Sequence, residues 1–200
     1  MLALRDLLNP SRMTAIVDVG GADLQGNPPY QRMLDEGVCT AEMVQPVGRE
    51  IFSHNPDLLK ITTSAMPPHA ALQALHAGKD KVAVQVQAEF FPAYTFGSLD
   101  RVLRELGLIL HCFAEVDIIP IVSPQAVPHP DPHQIGRADL FYIRDFSRPM
   151  DVEQWKHLAL LAHHVCGSYD LAMHAVSELA KAGAIPEDGA AQYRRILERL

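Results

Sequence analysis

Asp18, Gly20, Gly21, Ala22 and Asp23 crowd into one short segment behind the β-branched run Thr14-Ala-Ile-Val-Asp-Val-Gly-Gly21. Small residues let a ligand approach the backbone, and a carboxylate accepts hydrogen bonds from a cationic or hydroxyl-bearing ligand. The plainer reading of a glycine pair behind a strand is a tight turn. A second group, His129-Pro-Asp-Pro-His133, sets two imidazoles and a carboxylate in one loop, with His111 or His163 available to join them. That is metal-ligand chemistry without a paired motif such as His-Glu-x-x-His, so a solvated, proline-stiffened loop is the expectation and no metal site is assigned. Cys39 opens a strand and Cys112 sits inside one, where burial makes thiols inert. Neither a Gly-x-Ser-x-Gly elbow nor a Gly-x-x-x-x-Gly-Lys-Ser/Thr loop is present, which argues against a serine hydrolase and an NTPase.

The elements that position these residues alternate. Thr14–Val19 reads as a buried strand entering a ligand-facing turn, and the prolines of Gly26-Asn-Pro-Pro-Tyr30 lead into a short helix over Tyr30–Glu36. Further strands are expected at Val38–Val44, Asp57–Thr62, Lys81–Ala88 (with Val82, Val84 and Val86 alternating), Leu108–Phe113 and Ala138–Asp145, and one more at Asp117–Val122. Helices are expected over His69–Ala77 and Leu99–Leu106, and the proline- and histidine-rich stretch Ser123–Gly136 as a loop. After Pro149 only helical periodicity remains, over Asp151–Cys166, Ser168–Gly183 and Pro186–Leu200. Three apolar stripes run along it: Trp155, Leu158, Leu161, Ala162, Val165; Leu171, Val176, Leu179, Ala180; and Tyr193, Ile196, Leu197. His157, His163, His164 and His174 lie on the same helices and read as packed or surface histidines. Alternating strands and helices followed by a helical tail predict a three-layer α/β fold with a mostly parallel sheet. The division expected is an α/β domain over 1–149 with a helical extension over 150–200 packed on it.

Composition bounds the function. The 200 residues are 48% hydrophobic and 20% charged, enough apolar material for a real core. A net charge of -7 argues against an extended nucleic-acid surface. No apolar run of about 18 residues predicts a membrane span. Three widely spaced cysteines, Cys39, Cys112 and Cys166, read as thiols in a reducing compartment, hence a cytoplasmic protein without a disulfide framework.

Val17-Asp-Val-Gly-Gly-Ala-Asp23, Gly26-Asn-Pro-Pro-Tyr30 and Glu36-Gly-Val-Cys39 together resemble the opening of the FkbM-type S-adenosylmethionine-dependent methyltransferases. Leu58-Leu-Lys-Ile61, Val82-Ala-Val-Gln-Val86 and Leu108-Ile-Leu-His-Cys-Phe113 are similar to that family's later strands. Asp139-Leu-Phe-Tyr-Ile-Arg-Asp-Phe146 and Lys156-His-Leu-Ala-Leu-Leu-Ala-His-His164 are similar to its end and helical extension. The resemblance implies a Rossmann-like methyltransferase fold, S-adenosylmethionine as cofactor if the chain is active, and Asp18, Gly20, Gly21 and Ala22 beside it. It also exposes departures. Gln45 stands where the family has a carboxylate for the cofactor ribose, and lacks the charge and the second acceptor. Residues 47–56 leave room for one crossover only, so one edge strand is expected to be missing. The third strand runs into Thr62-Thr63-Ser64 where an Asp is expected, leaving no general base. Each lost charge-assisted contact is worth ~1.5–3 kcal/mol, and two such losses weaken binding by about two to four powers of ten.

The leading expectation is therefore an FkbM-like protein with an eroded cofactor site that acts through binding or assembly. It would pair with itself or with a complete methyltransferase relative. The alternative is an active O-methyltransferase on a small hydroxyl-bearing substrate, with cofactor contacts from Asp18, Gly20, Gly21, Ala22, Gln45 and Thr62. The third is a small-ligand or metal-binding module built on the histidine-rich loop.

Overall fold

A computed structural model describes residues 3–21, 27–45, 55–63, 68–76, 81–90, 96–120 and 133–199. Along the chain run α1 (Leu4–Leu8), β1 (Thr14–Val19), α2 (Gln31–Asp35), β2 (Cys39–Val44), β3 (Leu58–Ile61), α3 (Pro68–His76) and β4 (Ala83–Glu89). Then come α4 (Phe96–Glu105), β5 (Leu108–Ile119), β6 (Gln134–Arg144), α5 (Val152–His164), α6 (Tyr169–Lys181) and α7 (Gly189–Leu197). The six described strands form one sheet in the order β2-β1-β3-β4-β6-β5. β1 to β4 are mutually parallel, and β6 runs antiparallel to both β4 and β5.

The sheet is covered on both faces, which is why β3 and most of β4 are buried at every position. Side chains alternate between the faces. Val17, Val19, Leu59, Ile61, Val84, Val86, Leu140 and Tyr142 meet α3 and α4 through Ala71, Ala74, Leu75, Leu99 and Leu103. Ile16, Leu58, Ala83, Phe141 and Ile143 face the other way, into a core with Leu8, Met33, Leu158, Leu161, Leu171, Val176 and Tyr193. This is the expected Rossmann-like, three-layer α/β architecture with its C-terminal helical unit. Most of the tail's apolar stripe residues are buried in that second core, with Trp155, Val165, Ala180, Ile196 and Leu197 packed at its margin. A reciprocal capping box starts the tail: Gln154 N donates to Asp151 Oδ1 (2.8 Å) and Asp151 N donates to Gln154 Oε1 (3.0 Å).

Three local readings change. The separate strands expected at Leu108–Phe113 and Asp117–Val122 are one strand, β5, as far as Ile119, carried through by register shifts at Leu110/Cys112, Phe113/Glu115 and Asp117/Ile118; Ile121 and Val122 lie outside the described residues. β-Bulges of this kind interrupt the alternation without ending the ladder. β6 begins at Gln134, inside the stretch expected to be loop. The helix α1 carries Leu4, Leu7 and Leu8 into the core, and five residues are too few for a periodic signal. Residues 47–54, most of the 47–56 stretch on which the missing-strand expectation rests, lie outside the described residues, as do Ala22, Asp23 and His129.

Candidate functional site

The carboxyl ends of β1 to β4 and the start of β6 open onto a cleft of ≈ 380 Å³, lined by Asp18, Gly21, Met43, Lys60, Thr62, Gln87, Glu115, Asp117, Arg137 and Asp139 among others. Ligands of open parallel sheets bind at this end, where strand order reverses. Here the reversal falls between β1 and β3.

The chemistry of the cleft starts from register. Asp18 on β1 is level with Lys60 on β3, and Lys60 with Gln85 on β4. All three project from the face that carries Ile16 and Leu58, so one polar row crosses three strands. Asp18 is 2% exposed and Lys60 6%. Lys60 Nζ donates to both Asp18 carboxylate oxygens at 3.2 Å and to Thr62 Oγ1 at 3.3 Å. Tyr30 Oη donates to Asp18 Oδ2 at 2.9 Å. Burial and the neighbouring Asp18 charge push the Tyr30 phenol far above its ordinary range, so it remains a donor. Farther along the row, Gln85 Nε2 donates to Asp139 Oδ2 at 3.0 Å, while its buried Oε1 has no partner among the described residues. Across β5 and β6, Arg137 pairs with Asp117, its register partner.

The glycine turn has two separate reasons. Gly20 takes φ +80°, a conformation that favours glycine, and its N–H donates to Val44 O at 3.0 Å. At Gly21 a Cβ would fall 2.4 Å from Asp18 Oδ1. The room left by that missing side chain is filled from within, by the carboxylate of Asp18.

Of the residues singled out from sequence, Asp18, Gly21 and Thr62 line the cleft. Gly20 shapes the turn behind it. Gln45 is exposed just past the end of β2 and is not among the lining residues. Thr62 is 2% exposed and its hydroxyl accepts from Lys60. Sequence reasoning missed Lys60 and Tyr30. The available signal was a lysine in an otherwise apolar four-residue strand, two positions from Leu58 and therefore on the same face. His133 is the one member of the histidine-rich loop pair within the described residues. Burial raises the Cys39 thiol to about 11, which leaves it no nucleophile near neutrality.

No protein-family model matches the sequence, and no curated protein is significantly similar to it. Solved structures do align with the fold. A TehB-like SAM-dependent methyltransferase from Corynebacterium glutamicum aligns at TM-score 0.38 and 17% identity, over 71% of this chain and 85% of that one. A precorrin-6y C5,15-methyltransferase from Geobacter metallireducens aligns at 0.34 and 14%, over 71% and 85%. A precorrin 8w decarboxylase from Methanobacterium thermoautotrophicum aligns at 0.34 and 17%, over 70% and 86%. At such scores the fold rests on its own strand order. No helix of the described residues is long and apolar enough to cross a membrane.

Proposed function

We propose that this chain is an FkbM-like, methyltransferase-fold protein whose S-adenosylmethionine site is eroded and which acts through binding or assembly. One observation carries the reading: the carboxylate at the ligand-facing turn is already engaged. Asp18 is held by Lys60 and Tyr30 and fills the space at Gly21. S-adenosylmethionine is a sulfonium with an ammonium group, and its recognition favours a free carboxylate. Here the Lys60 ammonium takes up that role, and displacing it would strand a buried positive charge at a cost of several kcal/mol. The exposed Gln45 offers no compensating charge at the ribose position.

Assembly is supported at the sheet edge, since the tail's apolar stripes are consumed by the core. β5 is an edge strand and exposes Phe113 (44%), Val116 (40%), Ile118 (44%) and Ile119 (40%). Exposed apolar edges are places where strands of other chains add. A second copy or a complete methyltransferase relative would fit there.

The alternative, an O-methyltransferase acting on a small hydroxyl-bearing substrate, draws on the ≈ 380 Å³ cleft at the carboxyl ends of the parallel strands. Calorimetric titration with S-adenosylmethionine and with its demethylated product separates the two. The eroded site gives no heat at millimolar ligand. Micromolar binding that disappears in Asp18→Ala overturns the proposal in favour of the enzyme. Size-exclusion mass tests self-pairing, and a monomer at high concentration leaves only the mixed pair.

A further inference from the structure

The cleft draws on β5 only through Glu115 and Asp117 and does not reach the stretch where β5 meets the corner between α5 and α6. There His111, Cys112 and Cys166 bring one ligand atom each to within 4.8 Å of one another. We infer that these three side chains form a binding site for a thiophilic d10 cation, with Zn²⁺ as its probe.

Adjacent strand residues normally point to opposite faces, so His111 and Cys112 should not share one. The ladder between β5 and β6 skips a residue here: Leu110 is level with Tyr142 and Cys112 with Phe141, which makes His111 the extra residue of a bulge. Bulges re-aim side chains, and this one lets two neighbours converge. Opposite them, Gly167 at φ +63° ends α5 and turns the chain, so that Cys166 and Ser168 flank the same corner. All three ligands are partly buried, which suits a site with an entry path.

The histidine is also set in the required tautomer. Ser168 Oγ donates its single proton to Asp170 Oδ1 at 2.6 Å. His111 Nε2 lies 2.7 Å from the same Oγ and must therefore donate to it. That leaves Nδ1 with its lone pair for a cation. A ligating imidazole whose other nitrogen donates to an oxygen chain ending in a carboxylate is the usual outer arrangement of metal-bound histidine. Two sulfurs and one imidazole nitrogen select Zn²⁺ or Cu⁺ over the hard cations. With Zn–S near 2.3 Å and Zn–N near 2.0–2.1 Å, an ion would draw together three ligand atoms that now lie within 4.8 Å of one another. Binding releases one proton from each thiol to solvent and forms two metal–thiolate bonds, with no change of oxidation state. The fourth position falls to water or an external ligand. The ion joins the β5 edge to the helical tail.

Titration of the reduced full-length chain with Co²⁺, a spectroscopic substitute for Zn²⁺, tests the site. One equivalent should bind with a thiolate-to-metal charge-transfer band, and Zn²⁺ should displace it. Cys112→Ser and Cys166→Ser should each abolish the band. Ser168→Ala keeps all three ligands and should weaken binding by about 10–100-fold, the usual effect of an outer-shell change. Zn²⁺ should also slow disulfide formation between Cys112 and Cys166 under mild oxidant. A wild-type chain that binds no Co²⁺, a band that survives Cys112→Ser, or oxidation equally fast with and without Zn²⁺ overturns the assignment.

Discussion

Among the described residues the sheet carries one buried carboxylate at each end, and the two are held differently. At the amino end, Asp57 precedes β3 and accepts from Arg12 Nη1 and Nη2 (2.6 and 2.8 Å) and from the backbone N–H of Ala15 (2.8 Å). Its own backbone binds β1 and β4 as well: Asp57 N donates to Ala15 O, and Asp57 O accepts from Val82 and Ala83. At the carboxyl end, the Asp18 carboxylate is held among the described residues by two side chains alone, Lys60 and Tyr30. A carboxylate bonded to main chain is part of the fold's wiring. One bonded to side chains alone lies at the end of a parallel sheet where ligands bind. The first end latches the sheet through its main chain; the second rests on a lysine and a tyrosine side chain.

The sharpest break of that contrast is Lys60→Met. Asp18 then keeps only Tyr30, and removing one partner of a buried pair costs about 3–5 kcal/mol. Combining it with Asp18→Leu should recover most of the loss, because well-packed apolar replacements of buried pairs are often neutral. Urea unfolding reads both, and a single variant that costs under about 1 kcal/mol would erase the distinction between the ends. Next in size is Gly21→Ala. Its Cβ meets a carboxylate pinned from two sides, so overpacking should cost about 1–3 kcal/mol. The same change in an Asp18→Ala background should cost far less. Equal costs in both backgrounds would mean that Asp18 does not fill that space.

How much of this was legible follows from the range of each signal. The Thr14–Val19 strand, the Val82/Val84/Val86 alternation and the tail helices are local patterns, and they set the three layers. That Asp18 and Gly21 face the cleft was legible because composition and position agree there. What joins Asp18 to Lys60 is the register of two strands 42 residues apart, and no local pattern encodes register between parallel neighbours. The convergence of His111 with Cys112 depends on one skipped residue in a ladder, which alternation rules read as opposite faces. The single length of β5 was hidden for the same reason, since its bulges break the period that would have shown continuity.

Smaller effects are read through pH. His157 is fully buried, with Nδ1 3.0 Å from Thr14 Oγ1 and Nε2 3.9 Å from Asp57 Oδ2. His163 is 3% exposed, with Nδ1 2.9 Å from Tyr193 Oη. Burial lowers both, His163 to about 4, with the charge of His164 adding to it. The unfolded chain takes up protons on histidine near pH 6.5, so below that pH it binds more protons than the folded chain, and stability falls as pH falls. Between pH 6.5 and 5.5, above the carboxylate range, the slope should reach up to about 1.4 kcal/mol per pH unit for each such histidine. His163→Leu should remove its share and flatten the urea midpoint against pH. An unchanged slope would assign the loss to other groups.

The smallest effect expected is Arg12→Met, and it bears most directly on what the amino-end latch consists of. Among the described residues Arg12 contributes two of the three hydrogen bonds to the Asp57 carboxylate, yet its side chain is 51% exposed. Water can take the guanidinium's place, and an exposed partner in screened solvent is worth about 0–1 kcal/mol. The Ala15 N–H has no such substitute, because Asp57 is buried between strands. Asp57→Ala should therefore destabilise more than Arg12→Met by about 1–3 kcal/mol, the cost of a buried donor left without an acceptor. The Arg12→Met loss should shrink further at high salt while the Asp57→Ala loss holds. If the two variants were equal and equally sensitive to salt, the latch would be an ion pair, and the two ends of the sheet would differ in exposure alone.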